Sequence, residues 1–559
     1  MPNLSIRDLA VSLCHWSLWR NECFCIVTSA LRGSEPWRYG RRYETAKECL
    51  SGCGRRNPSE LFNYGEYNEI VVRKGWMTWL RSLPGRAVWF AVLFTVVGCV
   101  ASHGAGVVHS SADSVAQEQQ DFLERVERDT FGFFWDATPQ ESGLTLDRYP
   151  GGHVSSIAAV GFALTSYPVG VERGWISRVQ AGQRTLTTLQ TLWQARQGPE
   201  AQNVAGYKGF FYHFLDSKTG YRSWNSELST IDTALLMAGV LSSQAFFNGA
   251  DETERAIRTL ADQLYLRVDW AWACSRRHPD LISMGWTPEH GYIEAEWEGY
   301  NEAMILYVLA LGSPTHPINS KAWRAWTSTY RWDTSDGFPR VAFGPLFGHQ
   351  YTHVWVDFRG IQDAYMRSKG IDYFVNSIRA TYANHAYCVA NPARWTGYDS
   401  AVWGLTASDG PLRLGPTTDE HSRFHAYWAR GAGPERRDDG TIAVTAAGGS
   451  VPFAPELTIP TLRLFRSRFG DRLYGKYGFK DAFNLSFDGG ASERAGWFSD
   501  QYVAIDQGPI LLMIENFRTG RIWSLMKRSR YLRAGLASAG FTGGWLNLAA
   551  SPAPVLNPS

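Results

Sequence analysis

The sequence predicts an all-helical toroid built from two concentric layers, on three observations: a long series of helix-period segments, several of them apolar on every face, and no regular alternation of strands with helices. The helical patterns run in order: QEQQDFLERVERDTFGFFW, SSIAAVGFALTSY, WISRVQAGQRTLTTLQTLW, STIDTALLMAGVLSSQAFF, DETERAIRTLADQLYLRV, NEAMILYVLALG, FRGIQDAYMRSKGIDYFVNSIRATYANHAY and GPILLMIENFRTGRIWSLM. A helix apolar all round, such as NEAMILYVLAL, has no face fit for water and must be ringed by others. Inner helices enclosed by outer ones follow. Strand signals are short, around Tyr207 to Phe214, Ile282 to Trp286 and Gly440 to Val444. Doubly wound sheets and parallel barrels therefore fit poorly.

The segments before and after the toroid have another character. From Met77 the chain reads MTWLRSLPGRAVWFAVLFTVVGC, with Arg81 and Arg86 as a basic region, Ala87 to Val97 as a short apolar core, and Gly98-Cys99 as a small-residue stop. That is the anatomy of a secretory signal too short to span a membrane. Its ending VVGC resembles a bacterial lipobox, which implies lipidation of Cys99, and Val100 after it implies sorting to the outer membrane. On this reading residues 1–76, with Cys14, Cys23, Cys25, Cys49 and Cys53, are an upstream extension or a mis-set start. Their cysteine spacings match no regular zinc ribbon. A flexible tether follows over 100–116, the globular domain spans 117–545, and the Pro-rich 546–559 is a disordered tail. Cys274 and Cys388 are left as one disulfide or two isolated thiols.

Composition narrows the chemistry. A formal charge of +2 over 559 residues, acids and bases nearly matched, gives no electrostatic basis for nucleic-acid binding. Aromatic residues make up 14% of the chain, with 24 Trp. Core packing absorbs many such rings, yet they also suit a cleft that stacks the apolar faces of sugars. Cleaving a glycosidic bond takes one carboxylic acid and one carboxylate, so the search is for acids in aromatic-flanked segments.

The densest is YIEAEWEGYNEAMILYVLALGSPTHP, where Glu294, Glu296, Glu298 and Glu302 crowd beside Trp297 and Tyr300. Glu302 stands at the mouth of the apolar helix, either as a cavity-facing acid or as an acid favoured by the helix dipole. In WNSELSTIDTALLMAGVL, Ser229 and Asp232 have capping-box spacing, while Glu227, beside Trp224 and Asn225, lies outside the helix and reads as ligand-facing. GHQYTHVWVDFRGIQDAY brings His353 and Arg359, and GYDSAVWGLTASDGP brings Asp399, Trp403 and Asp409, groups suited to sugar hydroxyls. No HExxH or paired-His spacing occurs, so neither metal nor cofactor is expected. DDGTIAVTAAGGSVPFAPE closes on Glu456, in a segment whose Gly and Pro suit a rigid cleft wall or plain turns.

Taken in order, ELSTIDTALLMAGVL, GYNEAMILYVLALGSPTHP, WGLTASDGP, DGTIAVTAAGGSVPFAPE, YGFKDAFN and IDQGPILLMIENFRTG resemble the glycoamylase-like domain family that includes bacterial endo-β-1,2-glucanases. The likeness runs from about Phe122 to Trp523, with Val444 where the motif leads one to expect Pro. It implies an (α/α)6 toroid and hydrolysis of β-1,2-glucan with inversion at the anomeric carbon. It also implies Glu302 as general acid, leaving Asp409, Asp232 and Glu227 as rivals for the base. Trp224, Trp297, Glu298, Tyr300, His353, Arg359, Asp399, Trp403 and Glu456 are the expected sugar contacts. The alternatives are a hydrolase of an α-glucan or cyclic β-glucan, and a non-catalytic glycan-binding lipoprotein.

Overall fold

The computed structural model describes residues 111–412, 423–432, 437–487 and 496–547. The signal segment, Cys99 and the last twelve positions, 548–559, lie outside the described residues. The chain divides at Gly106 into two units, and everything below concerns the second.

Fifteen helices, α1 to α15, are described. They are α1 Ser111–Asp136, α2 Ile157–Glu172, α3 Arg178–Gln194, α4 Thr230–Phe246, α5 Glu252–Leu266 and α6 Met304–Gly312. Then come α7 Ala322–Ser328, α8 Tyr351–Trp355, α9 Ala364–Lys369, α10 Tyr373–Ala390 and α11 Val444–Gly448. The last are α12 Pro455–Phe469, α13 Ala504–Thr519, α14 Arg521–Met526 and α15 Arg530–Ser538. Even in this list the layers alternate. α2, α4, α6, α8, α11 and α13 are buried along most or all of their length, whereas α3, α5 and α12 keep one wet face. Each inner helix follows an outer partner, α1, α3, α5, α7, α10 and α12 in turn. The result is an (α/α)6 toroid.

Sequence chemistry explains the layering. Inner helices can touch backbone to backbone only where side chains vanish: a Cβ on Gly161 would lie 2.3 Å from the Leu235 carbonyl oxygen, and one on Gly239 2.2 Å from that of Gly161. Outer helices instead carry designed starts, with the Ser177 and Gln180 capping box on α3 and Asp251 accepting from the Glu254 amide on α5. Two long helical patterns turn out to be broken. The segment expected as one helix over 358–387 becomes α9 and α10, and that over 508–526 becomes α13 and α14. Gly370 at φ 69° and Gly520 at φ 64° supply the left-handed stops.

All strands are two or three residues long. They matter because several sit immediately before inner helices: Val154–Ser156 before α2, Leu228–Ser229 before α4, Thr441–Ala443 before α11 and Tyr502–Val503 before α13. They pair across the top of the ring, Val154–Ser156 with Phe214–Asp216, Leu228–Ser229 with Gly285–Thr287, Thr441–Ala443 with Ala482–Asn484, and Arg148–Tyr149 with Tyr502–Val503. One end of the toroid is thereby fixed as a mouth. Two boundaries move: α1 begins at Ser111, inside the expected tether, because its helix-forming run starts there, and the turn Gly544–Asn547 extends past the expected end at 545. Cys274 and Cys388 are both free.

Candidate active site

The mouth gathers acids from six stretches of chain. Asp232 lies in the first turn of α4, where its amide donates to Ser229 Oγ at 3.1 Å and Ser229 Oγ donates back to Asp232 Oδ2 at 2.5 Å. The expected cap is therefore present, and it uses the hydroxyl in both directions. Glu227 and Asp232 are bridged by an imidazole absent from the expectations: His213 Nδ1 is 2.8 Å from Glu227 Oε1, and Nε2 is 3.6 Å from Asp232 Oδ2. Against the cost of burial, the charges of Asp232 and Glu227 push the His213 pKa up to about 9, so the ring is an imidazolium at neutral pH. Among the described residues these three form the group whose donor atoms, all within 4.8 Å of one another, could hold a cation. Both ring nitrogens already face carboxylates, which is the arrangement of an imidazolium between two anions.

Glu302 stands two residues before α6, at the level where its neighbours begin. Its backbone carbonyl accepts from Thr352 Oγ1 of α8 at 3.3 Å, but its carboxyl Oε2 is sealed from solvent and has no hydrogen-bond partner. Burial, reinforced by the charge of Asp232, pushes its pKa up to about 7. A carboxyl so placed keeps its proton near neutrality and can give it away. That is the requirement on a general acid.

Across the ring lies a second acidic group. Asp409 is gripped by Arg148, whose NH1 donates to Oδ2 at 3.0 Å and Oδ1 at 3.3 Å, while the Arg148 Nε donates to Asp147 Oδ2 at 3.1 Å. The Asp409 amide donates to Asp481 Oδ2 at 2.8 Å. Asp481 and Asp506, the latter in the first turn of α13, are buried within each other's electrostatic reach, and desolvation raises both. Burial and their mutual repulsion push both carboxyls upward, so the pair titrates as a unit. Tyr351, the first residue of α8, feels the charges of Asp506, Glu302 and Asp232 alike. Asp147 likewise interacts with both His213 and Asp409, so the charges of the two acidic groups reach one another. A separate cavity of about 490 Å³, whose wall includes Glu298, Asn301, Thr329, Arg331 and Arg437, is lined by no member of either acidic group.

The structure thus brings Glu302, Asp232, Glu227 and Asp409 together, and places Trp224, 69% exposed, at the rim. Several expected sugar contacts lie elsewhere. Trp297 is buried, its Nε1 donating to Thr230 Oγ1 at 2.9 Å, so it braces the start of α4. Tyr300 is buried against Tyr373 and His349. His353 is enclosed between α8 and α10, with Nε2 3.0 Å from Ser377 Oγ, and burial pulls its pKa down to about 3. Arg359 closes on Asp357 at 2.7 Å and lies over the Trp523 ring. Trp403 is fully buried, donating to Thr461 Oγ1 at 2.8 Å. Asp399 is spent on a turn, accepting from the amides of Ala401 and Val402. Glu456 sits exposed in the first turn of outer helix α12, bonded to Tyr382. Large polar-tipped side chains are what a two-layered ring needs to fill the space between its helices, and that need placed most of them. Of the others, Glu298 is exposed at the cavity wall.

Comparison with known proteins agrees with this architecture. The Glycoamylase family model matches residues 294–530. A solved protein of Bacteroides uniformis carrying the glucoamylase name is 33% identical, with a TM-score of 0.66 over 77% of this chain and 99% of that one. The chain belongs to the glycoamylase family. Another solved member, an endo-β-1,2-glucanase of Chitinophaga pinensis in complex with sophorotriose and glucose, is 28% identical, with a TM-score of 0.66 over 77% of this chain and 99% of that one. A curated family relative, an exo β-1,2-glucooligosaccharide sophorohydrolase acting at the non-reducing end in Parabacteroides distasonis, is 28% identical over 494 residues. The match covers 82% of this chain and 63% of that relative's length.

Proposed function

We propose that this chain is a glycoside hydrolase that cleaves β-1,2-glucan within the chain, by a single displacement that inverts the anomeric carbon. The observation that carries the reading is Glu302: a carboxyl desolvated to a pKa of about 7, its Oε2 unpartnered, at the mouth of a toroid lined by further carboxylates. Protonated Glu302 donates to the leaving glycosidic oxygen. Asp232, whose charge Glu302 feels and which accepts from Ser229 Oγ and lies 3.6 Å from the His213 ring, takes the proton of the attacking water. Asp409, clamped by Arg148, orients sugar hydroxyls, and Glu227 is spoken for by His213. The linkage follows the two family relatives that act on β-1,2-linked substrates. Release of disaccharide from one end is the second reading, favoured by the sophorohydrolase relative.

Export and lipid attachment through Cys99, with the domain held at the outer membrane, belong to the same proposal. They rest on the basic region, apolar core and Gly-Cys stop between Met77 and Cys99. Incubation of the purified protein with linear β-1,2-glucan, cyclic β-glucan and α-glucans, with products sized by chromatography, tests the activity. Mixed short products from β-1,2-glucan alone are expected. A ladder from an α-glucan, or no cleavage of any, would reject it, and disaccharide alone would select the end-acting mode.

A further inference from the structure

The loop that leads into α4 holds a feature that the acid cluster does not use. Among the described residues Trp224 is the one aromatic side chain with a left-handed backbone, at φ 53°, and it is also 69% exposed. A bulky residue in that region is a steric outlier, and an exposed indole leaves its apolar face in water. Nothing about the loop forces this arrangement through looseness. The Arg222 amide donates to the Val204 carbonyl at 2.9 Å, its Nε donates to that of Ser226 at 2.7 Å, and its NH1 pairs with Glu289 at 2.7 Å. Ser226 Oγ in turn donates to the Ser223 carbonyl at 3.0 Å. A tightly tied loop thus carries an unfavourable conformation whose product is a presented Trp ring.

The ring's surroundings say toward what. Its edge meets Phe214, centroids 5.1 Å apart and planes at 64°, and Phe214 stacks on His213 at 3.9 Å and 13°. His213 is the imidazole joining Glu227 and Asp232. Trp224 therefore stands one ring further out than Phe214 on a line that ends at the acids, with Tyr221, 38% exposed, three residues before it on the same loop. From this we infer that Trp224 is a stacking platform for a glucosyl unit of the β-glucan chain outside the pair flanking the bond cut, so that it sets the dependence of affinity on chain length. The inference rests on the function proposed above for the ligand class, and on the loop's own geometry for the residue.

The test uses Trp224→Gly, because glycine takes a left-handed φ freely and should relieve the backbone while removing the ring. Wild type and variant are assayed on β-1,2-glucooligosaccharides of increasing length. The expected result is a KM increase that grows with length to about tenfold for long chains, with kcat retained, an unchanged or higher Tm, and recovery in Trp224→Phe. A KM unchanged at every length, or a fallen Tm with equal loss at all lengths, would overturn the platform. Calorimetric binding of the same long glucan separates the two proposals. Trp224-dependent binding by a wild type that hydrolyses nothing sinks the hydrolase reading and upholds the platform. Binding indifferent to Trp224 sinks the platform.

Discussion

The helices α2 and α13 run the depth of the toroid and meet charged side chains at both ends, but the two ends differ in what holds their acids. At the far end Glu127 and Glu515 are matched by Arg173 and Arg518: Arg173 NH2 lies 2.7 Å from Glu515 Oε2, and Arg518 pairs with Glu127. At the mouth Asp147, Glu227, Asp232, Glu302, Asp409, Asp481 and Asp506 outnumber Arg148 and His213 among the described residues, so protons make up part of the balance. Buried charge costs stability unless paired. What separates the ends is the partner: Glu127, though burial and Glu515 raise it to about 8, is held by Arg518 and Arg173, whereas Glu302, raised to about 7, makes no ion pair among the described residues.

The comparison breaks first at Glu302. Glu302→Gln keeps the shape but holds no transferable proton, and turnover should fall by about 10² to 10⁴ while Tm stays within a degree or two. The acid must be protonated to act, so wild-type turnover should decline as pH rises through about 7. Activity rates and melting curves on the one variant decide the matter, since a helix-dipole role would leave turnover nearly intact.

The far end should behave the other way round. Glu515→Gln leaves Arg173 without its close partner at a site where Glu515 is 2% exposed, and should cost roughly 1–3 kcal/mol of stability with turnover per folded molecule unchanged. Denaturant melts and active-site-normalised rates read both quantities. A loss of kcat without loss of stability would erase the distinction between the two ends.

A smaller effect sharpens it. Burial and the neighbouring Glu515 outweigh two arginines and raise the Glu127 pKa to about 8. Its folded-state pKa lies above the unfolded value of 4.5, so its contribution to stability is full below about 4.5 and is lost as pH rises through about 8. Tm measured between those pH values should decline less steeply in Glu127→Gln than in wild type. Parallel declines would deny Glu127 the role.

How much of this could be read from the chain follows from where each signal lies. Inner helices α2, α4, α6 and α13 were legible because a run such as Met304–Gly312 is apolar on every face, whereas the five-residue α8 and α11 are too short to show a period. Outer helices α7, α12 and α15 escaped: α12 carries Pro455 at its start and Pro460 within, which disguise its periodicity. At the mouth, Glu302 and Asp232 were legible as acids abutting apolar helices. Arg148, His213, Asp481 and Asp506 were not singled out, although YGFKDAFN and IDQGPILL contain the two aspartates. The importance of Arg148 arises from contacts that join residues hundreds of positions apart, as when it faces Val503 and grips Asp409, whereas His213 is brought to Glu227 and Asp232 by a local turn of chain. Proximity to aromatic residues proved the weaker guide, since Trp297, Tyr300 and Trp403 fill the ring's interior.

The central claim, that at the mouth an acid protonates the leaving oxygen while a base activates one water, is tested most directly by the anomeric configuration of the first product. Proton NMR during the initial minutes of β-1,2-glucan hydrolysis, before mutarotation, should show the new reducing end as the α anomer. A β anomer formed first would mean two displacements through a covalent intermediate, and would contradict the assignment of Glu302 and Asp232.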